Sequence, residues 1–244
     1  MIYKVDLNCD VGEGVGNEAF LIPNISSCNI ACGGHAGDQD TMDTVVKLCK
    51  QYNVKAGAHP SFPDKENFGR QPMHMPHNEL VNCIIEQIEA LKQVLDNNGV
   101  ELYHIKPHGA LYDMASKDEA TAKAIVEAMQ GYKDKHLYVP YNSVTERLAI
   151  EAGLSIIYEG FADRNYNKDL TLVSRALSNA IITDPDEMFS HVHRMVIDKK
   201  VRLPNGEDIA IEAKTFCVHG DNPKAIELIS ALRANLIQSG IEIE

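Results

Sequence analysis

The chain has 244 residues, 44% apolar and 24% charged, an ordinary globular balance that can bury a substantial core. Its formal net charge of −12 argues against nucleic acid, whose phosphates need clustered Lys and Arg, and weakly against anionic lipid surfaces. No apolar run approaches the ~18 residues of a membrane span. Strand-like sequence starts at Ile2 with no room for a signal peptide, so the cytoplasm is the expected compartment.

In chain order, strand-like runs near residues 2–9 and 28–32 are followed by a helical stretch, TMDTVVKLCKQY, with Asp40 or Thr41 as its expected cap. A strand near 54–59 leads into a long loop, 61–78, rich in Pro and His, of a length usually seen in lids and docking surfaces. The longest helix, NELVNCIIEQIEALKQVLDNNG, stops at Asn97-Asn98-Gly99. Strands near 102–107, 136–141, 155–161 and 214–219 then alternate with KDEATAKAIVEAMQG, SVTERLAIEAG, DPDEMFSHVHRMVID and a closing helix from Asn222-Pro223. One segment breaks the pattern: KVRLPNGEDIAIEAK reads as a hairpin turning at Asn205-Gly206.

Alternation of this kind implies a parallel sheet with right-handed crossovers, hence an α/β fold. About seven units suit an irregular (β/α) barrel better than an open sheet. With no repeat, linker or low-complexity tract, the chain reads as a single domain over 1–244 with a hairpin insertion near 200–212. None of the six cysteines forms a C-x-x-C pair, and most lie in apolar runs, as expected of reduced, buried thiols.

Each strand-like run ends in chemistry-bearing side chains, the way a barrel assembles a site at the carboxyl ends of its strands. VDLNCDVGEG puts Asp6, Asn8 and Asp10 on one strand face, with Glu13 on the turn beyond. Burying three polar residues there is costly without purpose, and the reading favours Asp6 and Asn8 over Asp10 and Glu13. The glycines at 12, 14 and 16 match neither a P-loop nor a dinucleotide fingerprint and read as turn residues.

NIACGGHAGD and KAGAHPS place His35 and His59 after small-residue strands, as acid/base groups or, with Asp10, as ligands of a divalent metal. LYHIKPHGALY supplies Lys106 as a fixed positive charge, with His108 beside it, while His104 reads as core and Tyr112 as a hydroxyl or packing group. YEGFADRNY contributes Glu159, Asp163, Arg164 and Tyr166, with Arg175 following. These arginines suit either an ion-pair network or recognition of a carboxylate or phosphoryl group. TFCVHGD adds His219 and Asp221, the latter also a candidate helix cap. His74, His77, His136, His191 and His193 read as solvated.

Taken in order, VDLNCDVGEG, NIACGGHAGD, AGAHPSFPD with FGR, HIKPHGALY, EGFADRNY and TFCVHGD closely resemble the LamB/YcsF family over nearly the whole chain. The departures are Gly34 in place of an aromatic, Gln39 in place of a proline, and Ser174 before Arg175. The first would widen the pocket near His35. The resemblance implies an irregular barrel like those of glycoside hydrolases and polysaccharide deacetylases. It also implies the role of the A subunit in a bacterial-type 5-oxoprolinase, which works with subunits B and C to open 5-oxo-L-proline to L-glutamate at the expense of ATP.

That chemistry implies ATP as co-substrate and Mg²⁺ or another divalent metal. It also implies cationic groups for carboxylate and phosphoryl (Lys106, Arg164, Arg175), acid/base groups (His35, His59, His219), and carboxylates that orient them or bind metal (Asp6, Asp10, Asp163). The residues themselves leave two other readings open. One is a stand-alone metal-dependent deacetylase or amidohydrolase acting on a carbohydrate or small amide. The other is a non-catalytic ligand-sensing subunit.

Overall fold

The computed structural model describes residues 2–222 and 224–244. Seven parallel strands close on themselves: β1 (Tyr3–Val11), β2 (Ser27–Ala31), β3 (Lys55–His59), β4 (Leu102–Ile105), β5 (His136–Pro140), β6 (Ser155–Phe161) and, after a separate hairpin, β9 (Thr215–Val218). β9 pairs with both β6 and β1, which seals the barrel the alternating pattern predicts. The hairpin is β7 (Lys200–Arg202) against β8 (Asp208–Ala210), antiparallel, with Gly206 in the turn. A short β10 (Ile241–Ile243), not anticipated from sequence, continues the sheet along the start of β1.

Helices clothe the outside: α1 (Glu18–Leu21), α2 (Gln39–Tyr52), α3 (His77–Asn98), α4 (Gly109–Ala115), α5 (Glu119–Ala128), α6 (Val144–Glu151), α7 (Pro185–Ile197) and α8 (Ala225–Gln238). Local chemistry sets their ends. The cap of α2 is Asp38, which accepts from the Thr41 amide and lies just before the expected Asp40 or Thr41. α3 stops at Gly99 in the left-handed region (φ 64°), and α6 starts with a reciprocal Ser143–Glu146 capping box. Asp221 does not cap α8; its carboxylate is taken by arginines, and the Pro223 part of that expectation lies outside the described residues. Among the described residues no helix is long and apolar enough to cross a membrane.

Strand alternation divides the core in two. Val5, Leu7, Cys9 and Val11 of β1 are buried apolar residues, whereas Asp6, Asn8 and Asp10 are buried polar ones on the opposite face. The barrel lumen is therefore polar and the shell between strands and helices apolar. All six cysteines are free thiols, with Cys28 Sγ 3.2 Å from Cys49 Sγ.

Small residues make room in the lumen. A Cβ built on Gly57 would overlap the ring of His104, itself fully buried with Nε2–H donating to Asn29 Oδ1 at 2.7 Å. The His104 ring also stacks on Tyr138 with centroids 3.9 Å apart, so it has nowhere to retreat. Gly57→Ala is expected to cost about 1–3 kcal/mol of stability, the usual penalty for overfilling a packed interior, read as a lowered urea midpoint.

Candidate active site

The lumen is layered by depth. At the amino-terminal end, Asp6 Oδ2 accepts from Ser27 Oγ at 2.6 Å and from Thr215 Oγ1, with Lys55 Nζ 3.7 Å from its other oxygen. Asp6, expected as a catalytic group, thus lies below the cavity and does not line it. Above it lies an amide layer. Asn8 Nδ2 donates to Thr215 Oγ1 (2.7 Å) and Glu159 Oε1 (3.1 Å), and Asn29 Nδ2 donates to Asn8 Oδ1 (2.7 Å) and Asp10 Oδ1 (2.8 Å). Asn8 positions Glu159 from beneath and does not line the cavity.

The next layer carries the charge. Lys106 Nζ, with its side chain 3% exposed, lies 3.0 Å from Asp10 Oδ1 and 2.9 Å from Glu159 Oε1, and donates to Cys217 Sγ at 3.2 Å. Burial alone would strip the proton from this amine, but Asp10, Cys217 and Glu159 outweigh it and hold the pKa well above the usual lysine value. Burial likewise pushes the Asp10 carboxyl upward, and Lys106 and His59 overturn that, keeping it well below the usual carboxylate range.

Over this pair sits a cluster of imidazoles. His59 Nδ1–H donates to the Lys106 carbonyl at 2.7 Å, and His108 Nε2–H donates to the Phe68 carbonyl at 2.9 Å. The remaining nitrogens, His59 Nε2 and His108 Nδ1, face each other at 2.9 Å. Glu13 Oε1 is 3.5 Å from His108 Nδ1 and 3.0 Å from His35 Nε2, and His35 lies parallel to His108 with centroids 3.6 Å apart. Burial and the neighbouring Asp10 raise the Glu13 carboxyl to about 7, while burial and His59 lower His35 to about 3.

On the far wall Asp163 accepts from His219 Nδ1 (2.8 Å), the His219 amide (3.1 Å) and Asn222 Nδ2 (3.3 Å), leaving His219 Nε2 as the free ring nitrogen.

Asp10, His59, Lys106, His108, Arg175 and His219 line a cavity of about 470 Å³. A second cavity of about 340 Å³ adjoins it across Tyr112, Asp113, Phe161 and Leu172. At the mouth, Asp221 pairs with Arg70 and, at 3.3 Å, with Arg175. Arg164 borders the cavity too, but its guanidinium donates to the Val173 carbonyl (2.7 Å) and the Ala180 carbonyl (3.3 Å). It clamps its own loop rather than offering a free fork to a ligand.

Sequence reasoning and structure part in several places. Of the expected site residues, His35, His59, Lys106, His108, Glu159, Asp163, Arg175 and His219 come together with Asp10, whereas Asp6, Asn8 and Arg164 have structural partners. Of the residues expected to hold a metal, His35 and His59 lie with Glu13 and His108 in one cluster, and Asp10 with Cys217 and His219 in another, with Asp10 Oδ1 3.5 Å from His59 Nε2. Arg70 and Cys217 received no role from sequence; the FGR tripeptide inside the long loop was the available signal for Arg70.

That loop is no loose flap, since the Phe68 and Gly69 carbonyls accept from His108 Nε2 and the Ala110 amide. Gly34 does not widen the site, because a Cβ there would overlap Gln87 and Ser61, which fill that side. His191, expected in solvent, is buried against Tyr166, and the Tyr166 hydroxyl accepts from the Phe161 amide.

Removing the ammonium should leave Asp10 and Glu159 buried and facing each other. Lys106→Met is expected to lose about 3–5 kcal/mol, as when one member of a buried ion pair is deleted. The sign with pH follows from the depressed Asp10 carboxyl. Its stabilisation is present above the ordinary carboxylate pKa and disappears as pH falls through the lower folded value. In the variant that depression is gone and burial pushes the carboxyl upward instead, so the stability gap between wild type and variant should narrow on acidification, measured as urea midpoints across an acid series.

The comparisons with known proteins cover the whole chain. The A subunit of 5-oxoprolinase from Staphylococcus epidermidis is 42% identical over 250 residues, spanning 100% of this chain and 99% of that protein. The protein of the same name from Natranaerobius thermophilus is 43% identical over 246 residues, 98% and 96% of the two chains. The crystal structure of a lactam utilization protein from Thermus thermophilus superimposes with a TM-score of 0.93 at 38% identity, covering 99% of both chains. A family 4 carbohydrate esterase from Streptomyces lividans, 10% identical with a TM-score of 0.50 over 99% and 91% of the chains, shares the fold alone. The LamB/YcsF family pattern matches residues 5–244, and the chain belongs to that family.

Proposed function

We infer that this chain is the A component of an ATP-dependent 5-oxoprolinase, opening 5-oxo-L-proline to L-glutamate as ATP becomes ADP and phosphate, together with partner subunits B and C. The observation that carries the reading is the buried Lys106 ammonium facing a cavity rimmed by His219 and Arg175, in a chain similar end to end to proteins of that name. An unstrained five-membered lactam resists hydrolysis, and ring closure competes with opening. Transfer of the γ-phosphoryl group to the lactam oxygen, with ADP leaving, yields an imidate whose carbon accepts water. The ring C–N bond then breaks, the nitrogen takes a proton and phosphate departs.

Each part of this needs a group that the cavity offers. Lys106 supplies fixed positive charge where negative charge develops on oxygen. His219, its Nδ1 committed to Asp163, presents Nε2 for proton transfer. Arg70 and Arg175 at the mouth suit the substrate carboxylate or a phosphoryl group, for which Asp221 is the resident partner. The two adjoining cavities provide room for a small lactam beside a larger co-substrate.

Magnesium takes an all-oxygen shell. The carboxylates here fit it poorly as a protein-only site, because Asp10, Asp163 and Asp221 are already engaged by Lys106, His219 and Arg70. In this reading magnesium belongs to the nucleotide's phosphates, and no step is assigned to it. The compact imidazole cluster favours a second reading, a nucleotide-independent amidohydrolase or deacetylase.

One experiment separates the two. The chain mixed with subunits B and C, ATP and 5-oxoproline should release glutamate and phosphate in equal amounts, and the chain alone should show no steady turnover. His219→Asn is expected to lower the rate of the complex about 10²–10⁴-fold, the range for loss of a general acid or base. Absence of glutamate from the wild-type mixture overturns the first reading. Amide hydrolysis by the isolated chain without nucleotide supports the second.

A further inference from the structure

The pair of facing nitrogens on His59 and His108 poses a physical problem. Each ring has its only neutral-state N–H committed to a backbone carbonyl, Lys106 in one case and Phe68 in the other. The two nitrogens left over both carry lone pairs, and they sit 2.9 Å apart in a buried place. Two bare acceptors at that distance repel unless something positive sits between them. Glu13 Oε1, 3.5 Å from His108 Nδ1, adds a further lone-pair atom on the same side.

We propose that His59 Nε2, His108 Nδ1 and a Glu13 carboxylate oxygen form a binding site for a divalent cation of the nitrogen-seeking class, for which zinc is the probe. An ion about 2.1 Å from each donor places neighbouring tetrahedral donors about 3.4 Å apart, close to the separations of 2.9 and 3.5 Å found here. The two imidazole planes stand at 85° to each other, so one ion can lie near both ring planes. His35 is different. Its ring is parallel to that of His108 at 3.6 Å, and an ion in the plane of one ring is out of the plane of the other.

His35 is therefore a positioning residue, with Nε2–H donating to Glu13 Oε1 at 3.0 Å and aiming the carboxylate. A donor set of two imidazoles and one carboxylate selects zinc, cobalt or nickel over magnesium. His59 and His108 line the cavity that also takes in Lys106 and His219. The site rests on its donors alone and does not depend on the lactam reading.

The test uses the full chain without nucleotide, lactam or partner subunits, so its result and that of the turnover experiment stand apart. After equilibrium dialysis against zinc, about one equivalent should be retained, and magnesium at the same concentration should not displace it. His59→Ala and His108→Ala should abolish retention, and His35→Ala should weaken it about 10–100-fold, the usual cost of losing an outer-shell partner. His77→Ala, at an exposed histidine on α3, should change nothing.

X-ray absorption on the zinc-loaded wild-type chain, which needs no variant to fold, should count two imidazoles around the ion. No stoichiometric retention, a shell without imidazole, or retention unchanged in the His59 and His108 variants would each overturn the proposal. In that event a shared proton is what holds the nitrogen pair together.

Discussion

The Lys106 ammonium is the interaction on which the lumen depends. It lies inside a closed barrel between Asp10 at the end of β1 and Glu159 on β6, drawing three separate strands onto one charge. Without it two carboxylates would share a dry interior with no counter-charge. With it, the Asp10 carboxyl is held well below its usual range beside a cavity, and the layers beneath fall into place. Asn29 holds Asp10, Asn8 holds Glu159, and His104 holds Asn29. Each amide in this ladder has its hydrogens placed, which is the condition for a polar interior to add rigidity.

This lumen departs from the usual barrel interior of stacked branched apolar side chains. The apolar residues are moved to the outer face of the strands, where Leu7, Cys9 and Ile30 meet the helices. The hydrophobic stabilisation is thus concentrated between sheet and helices, and the lumen is left for chemistry. Gly57 on β3 follows from the same division, since His104 needs the space a side chain there would take.

The architecture was legible because strand and helix alternate and each strand ends in ionisable groups. Depth was not. Period-two alternation puts Asp6, Asn8 and Asp10 on one face, yet at about 3.3 Å per residue Asp6 sits roughly 13 Å below Asp10. Only the upper residue, Asp10, reaches the cavity, a difference of depth that favouring Asp6 and Asn8 could not take into account. Glu13 reaches the imidazole cluster for a related reason. It follows the strand on a turn whose flanking glycines have φ of 74° and 80°, and that turn folds it back over the barrel mouth. For Arg164 the partners that hold its guanidinium are backbone carbonyls, which sequence does not show.

The site also differs in rigidity from floor to rim, and the difference has a physical basis. The floor ion pair is fully enclosed, and its ligands are cross-braced by hydrogen bonds from four strands. The rim pair is not: the side chains of Arg70, Arg175 and Asp221 are 40%, 32% and 23% exposed, where ion pairs contribute little. An anionic ligand can therefore replace Asp221 as partner of the two arginines at small cost, whereas displacing Asp10 from Lys106 would strand a buried charge. Exchange is easy at the mouth and forbidden at the base. A barrel built this way can admit a carboxylate or phosphoryl group without disturbing the preorganised groups that would act on it.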